Sequence, residues 1–546
     1  MKNMLGLKLT TNRRKMTILP SPKPYLHIGN AKDLSGWSFF VYRSLEILPG
    51  ALIWLTFIAM FAVSFLAPLY AAIFIILFDI YWFLKSIYFS WHLRTSFKIM
   101  RHISKVDWTD ELNKLDLSQN KLGIKDWRQD LWHMILLPYY KEGYEVLEST
   151  FRGILNCGYP AEKLIVVLSG EERAGEDARK IGEKIKQEFG QKFGKFLLTF
   201  HEDKPGELAG KGANETWAAR QVKEKIIDSD NILYEKILVS VFDADTVPSP
   251  NYFARLSYKF LTCEKPLRTS FQPIPLFINN IWEAPGLARI ISFSSTFFHM
   301  MNQMRPERLV SFSSHAFPFK ALVEMDFWQT NVVSEDSRIF WQGLLNFDGD
   351  WQVVPLNIPV SMDANVAETF WKTMGNLYRQ QRRWAYGAAD IAYFIYGFSK
   401  NKKISLRTKL YWSFHLIESF WAWGTNSLLI FAMGWLPILL GGAAFNTTII
   451  SYYSPRMAGY IMSSAMLGII TLIYISLILL PPKPPIYGKH KYLLMVLQWL
   501  FIPITLIFSG SIPAIDAQTR LMLGKYMGFW PTPKIRKGIQ KTIFEK

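Results

Sequence analysis

The chain is 546 residues long, which allows one large or two ordinary domains together with membrane segments. Half of its residues are hydrophobic and only 19% are charged, whereas roughly a quarter is usual in soluble domains. A net charge of +18 would suit a nucleic acid, but the basic residues flank apolar segments and form no single stripe. We therefore expect anionic membrane lipids, and no nucleic acid, as the partner of this charge.

Four uncharged stretches are long enough to cross a bilayer, for which a helix needs about 20 apolar residues. They comprise residues 47–78, 419–455, 457–482 and 492–515. The first stretch is too long for one pass and Pro68 offers a turn, so it predicts two helices that end near Trp91. Together these stretches predict an integral membrane protein.

Basic residues set the expected orientation of these segments. The tail formed by residues 1–43 carries eight Lys and Arg residues against Asp33 alone, which places it and the central region in the cytoplasm. After the first two helices, Arg94, Lys98, Arg101 and Lys105 follow at helix-like spacing. This pattern suits an interfacial helix on an anionic leaflet.

If the last apolar stretch crossed the membrane once more, the basic C-terminal tail would lie on the outer side, whereas basic segments prefer the cytoplasmic side. Pro503, Gly510 and Pro513 predict instead that this stretch is a re-entrant hairpin. In the alternative, residues 419–455 cross twice, which would expel the basic loop at Lys483. We favour the re-entrant hairpin.

Strand and helix patterns alternate through the central region. Apolar runs predict strands at residues 133–137, 163–168 and 196–200, and a fourth that ends at Asp243. Helical patterns fall between them, at residues 143–155, 172–189 and 214–227. Such alternation predicts an α/β fold with a doubly wound, mostly parallel sheet, in which ligands bind beyond the carboxyl ends of the strands.

Asp243 and Asp245 come directly after the fourth predicted strand. Two carboxylates at this spacing can share one hard cation, which in turn binds a diphosphate. A competing interpretation is a phosphatase of the haloacid-dehalogenase type, in which Asp243 is the nucleophile and Asp245 the acid/base. That chemistry needs a further acidic residue for Mg²⁺, and Asp350 is the nearest candidate.

Two further groups of polar residues follow. Glu335 and Asp336 stand after Ser334, where they can open a helix or supply a general base. Gln380, Arg383 and Trp384 lie at i, i+3 and i+4 and therefore share one helical face. An arginine can grip diphosphate oxygens and an indole can stack on a sugar ring, but an interfacial helix explains the same residues.

In this order and beside membrane segments, these residues resemble the D-x-D, E-D and Q-x-x-R-W motifs of the membrane-embedded family 2 glycosyltransferases. That group contains the cellulose, chitin and hyaluronan synthases. The resemblance covers roughly residues 132–384. It implies a GT-A-type sheet and inverting, metal-dependent transfer of a sugar from a nucleotide-sugar donor, with a UDP-sugar favoured, to a growing glycan or a lipid-linked acceptor.

The resemblance also implies roles for individual residues. Asp245 would bind Mg²⁺ or Mn²⁺ directly, with Asp243 supporting it. Asp336 would be the general base, beside Glu335. Further residues would bind the donor and its diphosphate, or in one case the acceptor sugar: Pro138, Glu142, Glu171, Lys211, Asn214, Gln380 and Arg383 for the donor, and Trp384 for the acceptor.

Several of these matches depart from the family pattern. Lys141 stands where the P-x-Y-N-E motif has Asn, and Glu171 stands near the position of the Asp that contacts uracil. Ser313, Ser314 and His315 replace the Gly-Thr pair of the acceptor pocket. Residues 529–534 resemble the F-x-V-T-x-K gating loop of cellulose synthase, with proline in place of valine.

The sequence is thus predicted to contain seven parts. They are a basic cytoplasmic tail (1–43), a transmembrane hairpin (44–92), a basic interfacial linker (93–128), a GT-A-like catalytic domain (129–365), interfacial helices (366–410), a C-terminal transmembrane region (411–520) and a second basic tail (521–546). The catalytic domain is expected to lie on the cytoplasmic face of a cell or inner membrane. A processive synthase is the favoured activity, and single-sugar transfer to a lipid carrier is the alternative.

Overall fold

The computed structural model describes residues 23–118, 120–431, 433–533, 536 and 543–544. Residues 1–22 of the predicted N-terminal tail and ten residues of the second basic tail, including Lys534 of the gating-loop match, lie outside these residues. Within the described chain, eight strands form one sheet in the order β3-β2-β1-β4-β7-β6-β8-β5. The strands are β1 Trp132–Pro138, β2 Leu164–Glu171, β3 Lys195–His201, β4 Ile237–Val241, β5 Val247–Pro248, β6 Thr269–Phe277, β7 Ala316–Pro318 and β8 Gln352–Met362.

Parallel pairs make up the first half of the sheet. β1 pairs in parallel with both β2 and β4, β2 pairs in parallel with β3, and β6 pairs in parallel with β8. The short β7 is antiparallel to β4 and β6, and β5 is antiparallel to β8. The predicted mostly parallel α/β sheet is therefore confirmed, and the two short antiparallel strands are additions that the hydrophobic pattern did not indicate.

Helices cover both faces of this sheet and continue into long apolar segments. The helices before and within the sheet region are α1 Gly36–Leu66, α2 Pro68–Ile103, α3 Trp108–Asn113, α4 Trp127–Asp130, α5 Tyr144–Leu155, α6 Glu176–Phe189, α7 Lys211–Val222, α8 Tyr252–Thr262, α9 Gly286–Gln303, α10 Phe319–Glu324 and α11 Glu335–Asn346. The later helices are α12 Phe370–Ala385, α13 Ala389–Lys400, α14 Leu406–Phe431, α15 Leu436–Leu440, α16 Gly442–Asn446, α17 Ile449–Met466, α18 Gly468–Ile478, α19 His490–Leu497, α20 Ile502–Leu506 and α21 Ile512–Met522.

The alternation of side chains along the central strands builds a separate core on each face of the sheet. Met134 and Leu136 of β1 face a core shared with α7, α11 and α13. Ile135 and Leu137 face the opposite core, shared with α5, α6 and α8. Because both faces are buried, these strands carry continuous apolar runs, which is the property that made them recognisable in the sequence.

Among the residues that the structure describes, four helical segments are long and apolar enough to cross a membrane: Gly36–Leu66, Pro68–Ile103, Ile449–Ile478 and His490–Met522. The predicted turn at Pro68 is present, since α1 ends at Leu66 and α2 begins at Pro68. The predicted end near Trp91 is wrong, because α2 runs without a break to Ile103. Arg94, Lys98 and Arg101 therefore extend a long membrane-type helix, and no separate interfacial helix forms there.

The rest of the predicted linker 93–128 belongs to the sheet domain. Trp108 and Leu112 of α3 and Trp127 of α4 are buried in the core that contains Ile135 and Leu137. Arg255 packs its guanidinium 3.9 Å from the centre of the Trp108 ring. Aromatic burial of this kind fixes the segment on the domain and leaves it little freedom as a linker.

The sequence predicted that residues 419–455 form one span, but the structure divides this stretch between several helices. Its first part continues α14, which is followed by a bend of 51° between Leu406–Phe431 and Met433–Leu440. A new helix, α17, begins only at Ile449. Gly442, with φ of +70°, begins the short helix α16 between these two helices and takes a backbone conformation that other residues rarely adopt.

The last apolar segment is helical from His490 to Met522, with a π-helical turn at Ile507–Ser511 in place of the open hairpin that was predicted. Two side chains of this segment contact helices α9 and α12. Gln498 accepts a hydrogen bond of 2.6 Å from Arg289 of α9, and Asp516 pairs with Arg382 of α12 at 2.9 Å. These two contacts hold the segment against α9 and α12, and by length and composition the segment is also one of the candidate spans.

Candidate active site

The ammonium group of Lys211 lies at the centre of the polar residues beyond the carboxyl end of β4. Its Nζ is 2.9 Å from Asp243 Oδ1 and 2.9 Å from Asp336 Oδ1. Glu215 and Glu335 complete the surroundings, with Oε1 atoms at 3.4 Å and 3.6 Å. One cation from α7 thus connects the loop after β4 to the start of α11. We call these five residues the Lys211 cluster.

Gly212 of α7 and Gly210, the residue just before this helix, allow this close approach. A Cβ added to Gly212 would lie 2.9 Å from the Cβ of Glu335 and 3.1 Å from the carbonyl oxygen of Gln329. A Cβ added to Gly210 would lie 2.6 Å from the ring of Phe529. Larger residues at either position would push α7 away from α11 or from the C-terminal segment that covers the cluster.

Burial and charge determine the protonation of the Lys211 cluster. Burial lowers the pKa of Lys211, but the surrounding carboxylates outweigh it and raise the pKa well above its ordinary value. Burial also raises the pKa of Glu335 to about 7 and that of Glu215 well above its ordinary value. At neutral pH the site therefore holds a charged lysine and a neutral Glu215, while Glu335 is about half protonated.

Asp243 and Asp245 point in different directions. Asp243 retains 26% of its side-chain exposure and accepts a hydrogen bond of 2.8 Å from Ser313. Asp245 is fully buried, and its Oδ2 accepts a hydrogen bond of 2.8 Å from the backbone N–H of Asp363. Asp363 also pairs with Arg536 at 2.7 Å. Asp243 therefore faces the Lys211 cluster, whereas Asp245 anchors the loop against the end of β8.

Glu335 and Asp336 form the first turn of α11, as the sequence predicted. Ser334 occupies the N-cap position, but its side chain makes no capping hydrogen bond. Asp336 keeps 26% of its side-chain exposure, and Glu335 keeps 2%. Of the two acids, Asp336 is therefore the one that a bound substrate can reach.

Helix α12 carries Gln380, Arg383 and Trp384, the residues that resemble the Q-x-x-R-W motif, and it lies beside the Lys211 cluster. The positive charge of Arg383 is close enough to Glu335 to lower the pKa of that acid, although burial outweighs it. The Arg383 guanidinium lies 4.9 Å from the centre of the Phe529 ring. Its Nε is buried and has no hydrogen-bond partner among the described residues. Gln380 accepts a long hydrogen bond of 3.5 Å from Asn365, and the Trp384 ring lies 6.3 Å from that of Phe277. Arg382 has a different function, since it pairs with Asp516 of α21.

The predicted donor-pocket residues occur at the ends of β1 and β2. Pro138 ends β1, and Glu142 accepts a hydrogen bond of 2.7 Å from the backbone N–H of Tyr140. Glu171 ends β2, is 5% exposed and pairs with Arg173 at 2.5 Å. Asn214 of α7 donates to the backbone carbonyl of Ser169 at 2.9 Å. These residues line the edge of the sheet next to the Lys211 cluster, and Asn214 connects the two.

The sequence reasoning missed Glu215. This residue follows Lys211 by one helical turn, at i+4, and that spacing was the available signal. Its carboxylate is fully buried and its contact in the described chain is with Lys211.

The buried ring of His315 is a further part of the surroundings. Its Nδ1–H donates a hydrogen bond of 2.7 Å to the carbonyl of Phe312, so that Nε2 carries the lone pair. Burial lowers the pKa of His315 to about 4, which keeps the ring neutral near Asp336 and Lys211. In the sequence, His315 was noted only as part of the segment that replaces the Gly-Thr pair of the acceptor pocket.

The donor atoms present suit a hard divalent cation, because carboxylate oxygens are the ligands that Mg²⁺ and Mn²⁺ prefer. Oxygens of Glu215, Glu335 and Asp336 lie within 4.8 Å of one another. Burial keeps the first two partly protonated, however, and a neutral acid is a poor metal ligand. Asp243 and Asp245 both follow β4, but their side chains point in different directions, so the described structure does not group them around a cation as it does the other three acids.

The phosphatase interpretation needs Asp350 near Asp243 to bind Mg²⁺, and the structure places the two residues far apart. Asp350 precedes Gln352, which pairs with Thr269 at the beginning of β6. It therefore lies at the opposite end of the sheet from Asp243. Asp350 is exposed there and pairs with Lys265 at 2.6 Å.

Comparisons with known proteins support a transferase. The sequence profile of the glycosyl transferase family group 2 matches residues 238–509, which contain Asp243, Asp336 and the whole of α12. No curated protein has a detectably similar sequence.

Two solved structures are similar at low sequence identity. One is the mannosyltransferase PcManGT from Pyrobaculum calidifontis in complex with GDP-Man and Mn²⁺, with 13% identity, coverage of 70% of this chain and 99% of that chain, and a TM-score of 0.35. The other is S. aureus TarS 1-349 in complex with UDP-GlcNAc, with 13% identity, coverage of 66% and 95%, and a TM-score of 0.34. At these TM-scores neither similarity carries a ligand or a mechanism over to this chain. Residues 238–509 are thus similar to the glycosyl transferase family group 2.

Proposed function

We propose that this chain is a membrane-bound inverting glycosyltransferase that moves a sugar from a nucleotide-sugar donor to an acceptor hydroxyl. The observation that carries the proposal is the Lys211 cluster, in which Asp243 from the end of β4 and Asp336 from the start of α11 lie 2.9 Å from one ammonium group. This arrangement brings a donor-side and an acceptor-side carboxylate together at the edge of a family 2 domain.

Asp336 acts as the general base. The acceptor hydroxyl loses its proton to this carboxylate while its oxygen forms a bond to the anomeric carbon of the donor sugar. The bond from that carbon to the diphosphate oxygen breaks, and the electron pair leaves with the nucleoside diphosphate. Attack from the side opposite the leaving group inverts the anomeric centre. The 26% exposure of Asp336, against 2% for Glu335, supports this choice of base.

Lys211 and Arg383 bind the diphosphate. Lys211 is charged and reaches the cleft between Asp243 and Asp336, and Arg383 has a buried Nε that a phosphate oxygen would satisfy. Gln380 lies one helical turn before Arg383 on the same face and orients the donor. Mg²⁺ or Mn²⁺, held by Asp243 and Asp245, would neutralise the charge that develops on the departing diphosphate.

The nucleoside binds at the ends of β1 and β2. Pro138 and Glu142 shape the loop after β1, and Glu171 with Arg173 closes the pocket beside β2. The Arg173 guanidinium lies 4.8 Å from the centre of the Tyr140 ring, so that a planar base meets an aromatic and a guanidinium surface. Asn214 fixes the end of β2 by its contact with Ser169. We favour a uridine nucleotide for this pocket.

Trp384 supports the acceptor sugar and makes the enzyme processive. It lies on the same face of α12 as Gln380 and Arg383, beside Phe277 at the end of β6. The catalytic domain lies on the cytoplasmic side of the membrane, where nucleotide sugars are made, and the long apolar helices anchor it among anionic lipids. The acceptor is a growing glycan, and a lipid-linked acceptor that receives a single sugar is the alternative outcome.

The experiment that tests this function uses purified full-length protein and a panel of nucleotide sugars with Mg²⁺ or Mn²⁺. We expect release of nucleoside diphosphate with one donor class, dependent on the metal and stimulated by an acceptor glycan. Release of inorganic phosphate from phosphomonoesters, without turnover of any nucleotide sugar, would contradict the proposal and restore the phosphatase.

A further inference from the structure

A second charged region lies between α2 and α18, where these long apolar helices meet the sheet domain. There the two helices enclose a groove of about 820 Å³. One wall carries the basic residues of α2, namely Arg94, Lys98, Arg101, His102 and Lys105. The four Lys and Arg residues fall at i, i+4, i+7 and i+11, and therefore lie along one face of the helix.

These cations have no carboxylate partner within the part of the chain that the structure describes. Arg94 donates to the hydroxyl of Thr471 on α18 at 2.6 Å, which connects the two walls through a neutral acceptor. Arg101 packs against the ring of Phe97, 5.7 Å from its centre. The groove is thus a concentration of positive charge that an anionic ligand would neutralise.

The other lining residues are apolar. Phe97 and Ile475 are buried at the base of the groove, and Ile470 and Tyr474 of α18 are each 62% exposed along its wall. Below the basic residues, the surface of α2 continues through Trp91, which is 73% exposed. A ligand that fills this groove must offer a negative head and an apolar body.

The position of the groove matches the headgroup level of a membrane. Both walls are the final turns of candidate spans, Pro68–Ile103 and Ile449–Ile478. Just after α18, the carbonyl of Pro481 accepts a hydrogen bond from Trp282 of the sheet domain. On α2, Phe97 packs in the same core as Ile290 of α9. The groove therefore opens where the membrane helices meet the domain.

We propose that the α2–α18 groove binds one anionic phospholipid, with the phosphate among Arg94, Lys98 and Arg101 and an acyl chain along Ile470 and Tyr474. Charge complementarity and the continuous apolar wall both select a lipid, since a soluble polyanion would leave the exposed aromatic and aliphatic residues uncovered. The lipid bridges two membrane helices at their contact with the catalytic domain and so stabilises that junction. This inference is independent of the proposed sugar transfer.

The test measures the unfolding temperature of delipidated full-length protein in a neutral detergent. Three additions are titrated: dioctanoyl phosphatidylglycerol, dioctanoyl phosphatidylcholine and inorganic phosphate. We expect only phosphatidylglycerol to raise the unfolding temperature in a saturable way. Equal stabilisation by phosphatidylcholine would overturn the requirement for negative charge, and equal stabilisation by phosphate would reassign the groove to a free anion.

Two variants locate the effect. The double variant Lys98→Gln, Arg101→Gln removes two charges from the groove and should weaken phosphatidylglycerol binding by roughly tenfold or more, since each basic residue near an anionic headgroup contributes about 1 kcal/mol. The matched control Lys180→Gln, Lys225→Gln removes two charges from exposed positions on the sheet domain and should bind like the parent. Equal loss in both double variants would mean that only overall charge matters.

Ile470→Trp tests the groove itself. It keeps every charge but places a bulky ring in the path of the acyl chain. We expect this variant to fold, because residue 470 is exposed, and to lose the stabilisation by phosphatidylglycerol. Parent-like binding by Ile470→Trp would show that the lipid does not enter between α2 and α18, and would overturn the proposal.

Discussion

The loop after β4 and the first turn of α11 each present two acidic residues, and in each pair one is accessible and the other is buried. In the loop, Asp243 keeps 26% of its exposure and Asp245 none. In the helix, Asp336 keeps 26% and Glu335 only 2%. The two accessible carboxylates contact the same ammonium group, whereas the two buried ones do not share a partner at this distance.

In each pair, the accessible acid can contact a ligand, whereas the buried acid is held by the fold. Asp243 and Asp336 can meet donor and acceptor, and Lys211 between them keeps both carboxylates close without mutual repulsion. Asp245 is tied to the backbone of Asp363, and Glu335 lies against Gly212 beneath the cleft. The sequence assigned the first pair the other way round, with Asp245 as the direct metal ligand and Asp243 supporting it, and it named Asp336 as the general base beside Glu335. The predictions below test whether the accessible and the buried acids differ in the way that the structure indicates.

The largest expected effect is that of Asp245→Asn. The proposed function assigns Asp245 to the cation together with Asp243, although the described structure holds its carboxylate against the backbone of Asp363. On that assignment, metal-dependent donor turnover should fall by roughly a thousandfold or more, as expected from the loss of several kcal/mol of charge stabilisation. The measurement is release of nucleoside diphosphate across a Mn²⁺ titration. Asp350→Asn, which alters an exposed acid at the far end of the sheet, is the control.

Full activity of Asp245→Asn at unchanged metal concentration would remove Asp245 from the metal site. The buried carboxylate would then serve the fold of the loop alone, and Asp243 would be the better single ligand.

Asp336→Asn should lower transfer by roughly 10²–10⁴-fold, the usual contribution of a positioned acid/base. Donor affinity should change little, because the base acts on the acceptor hydroxyl. Donor binding by calorimetry and transfer rate are measured on the same preparation. An equal loss of both quantities would place Asp336 on the donor side or make it structural.

Much of the first half of the sheet could be predicted from the sequence. The strands β1 to β4 are buried on both faces, so their apolar runs and the amphipathic helices between them are local signals. The short strands β5 and β7 carry no such signal, because two or three residues show no period. The end of α2 was misplaced because basic residues after Trp91 indicated an interface, although a helix can carry them beyond the membrane without a break.

The candidate site was predicted as separate motifs and not as one cluster. Asp243, Asp336 and α12 were each recognised by residue type and spacing, but the contact of Lys211 with two of them joins positions that are 32 and 125 residues apart in sequence. No local pattern encodes such a distance. Glu215 and the neutral His315 were missed as site residues for the same reason, since their importance depends on burial beside Lys211 and Asp336.

Trp384→Ala should have a smaller and more selective effect. Removing the indole should cost elongation of the acceptor and spare much of the slow hydrolysis of the donor by water, because the residues that bind the diphosphate remain. Nucleotide release is compared with and without acceptor at matched folded concentration. Trp371→Ala, which changes a 79% exposed tryptophan on the same helix, is the matched control. A parallel fall of both reactions in Trp384→Ala would identify an interfacial anchor and weaken the case for processivity.

The smallest effect concerns stability and pH. Burial raises the pKa of Glu335 from its ordinary 4.5 to about 7, so the folded protein keeps a proton that the unfolded chain has already released in this range. Stability therefore decreases as the pH rises from about 4.5 to about 7. In Glu335→Gln this decrease should be smaller, as measured by the unfolding temperature at several pH values in this window. The exposed Glu162→Gln is the control, and parallel curves for Glu335→Gln and the parent would contradict the protonated state of Glu335.

The central claim is direct transfer of the sugar, with Asp336 as the base and no covalent intermediate. The anomeric configuration of the first product tests it most directly, once the donor panel has identified the sugar. NMR of the newly formed glycosidic linkage should show the anomeric configuration opposite to that of the donor. Retention of the donor configuration would require two displacements and would contradict the assigned chemistry.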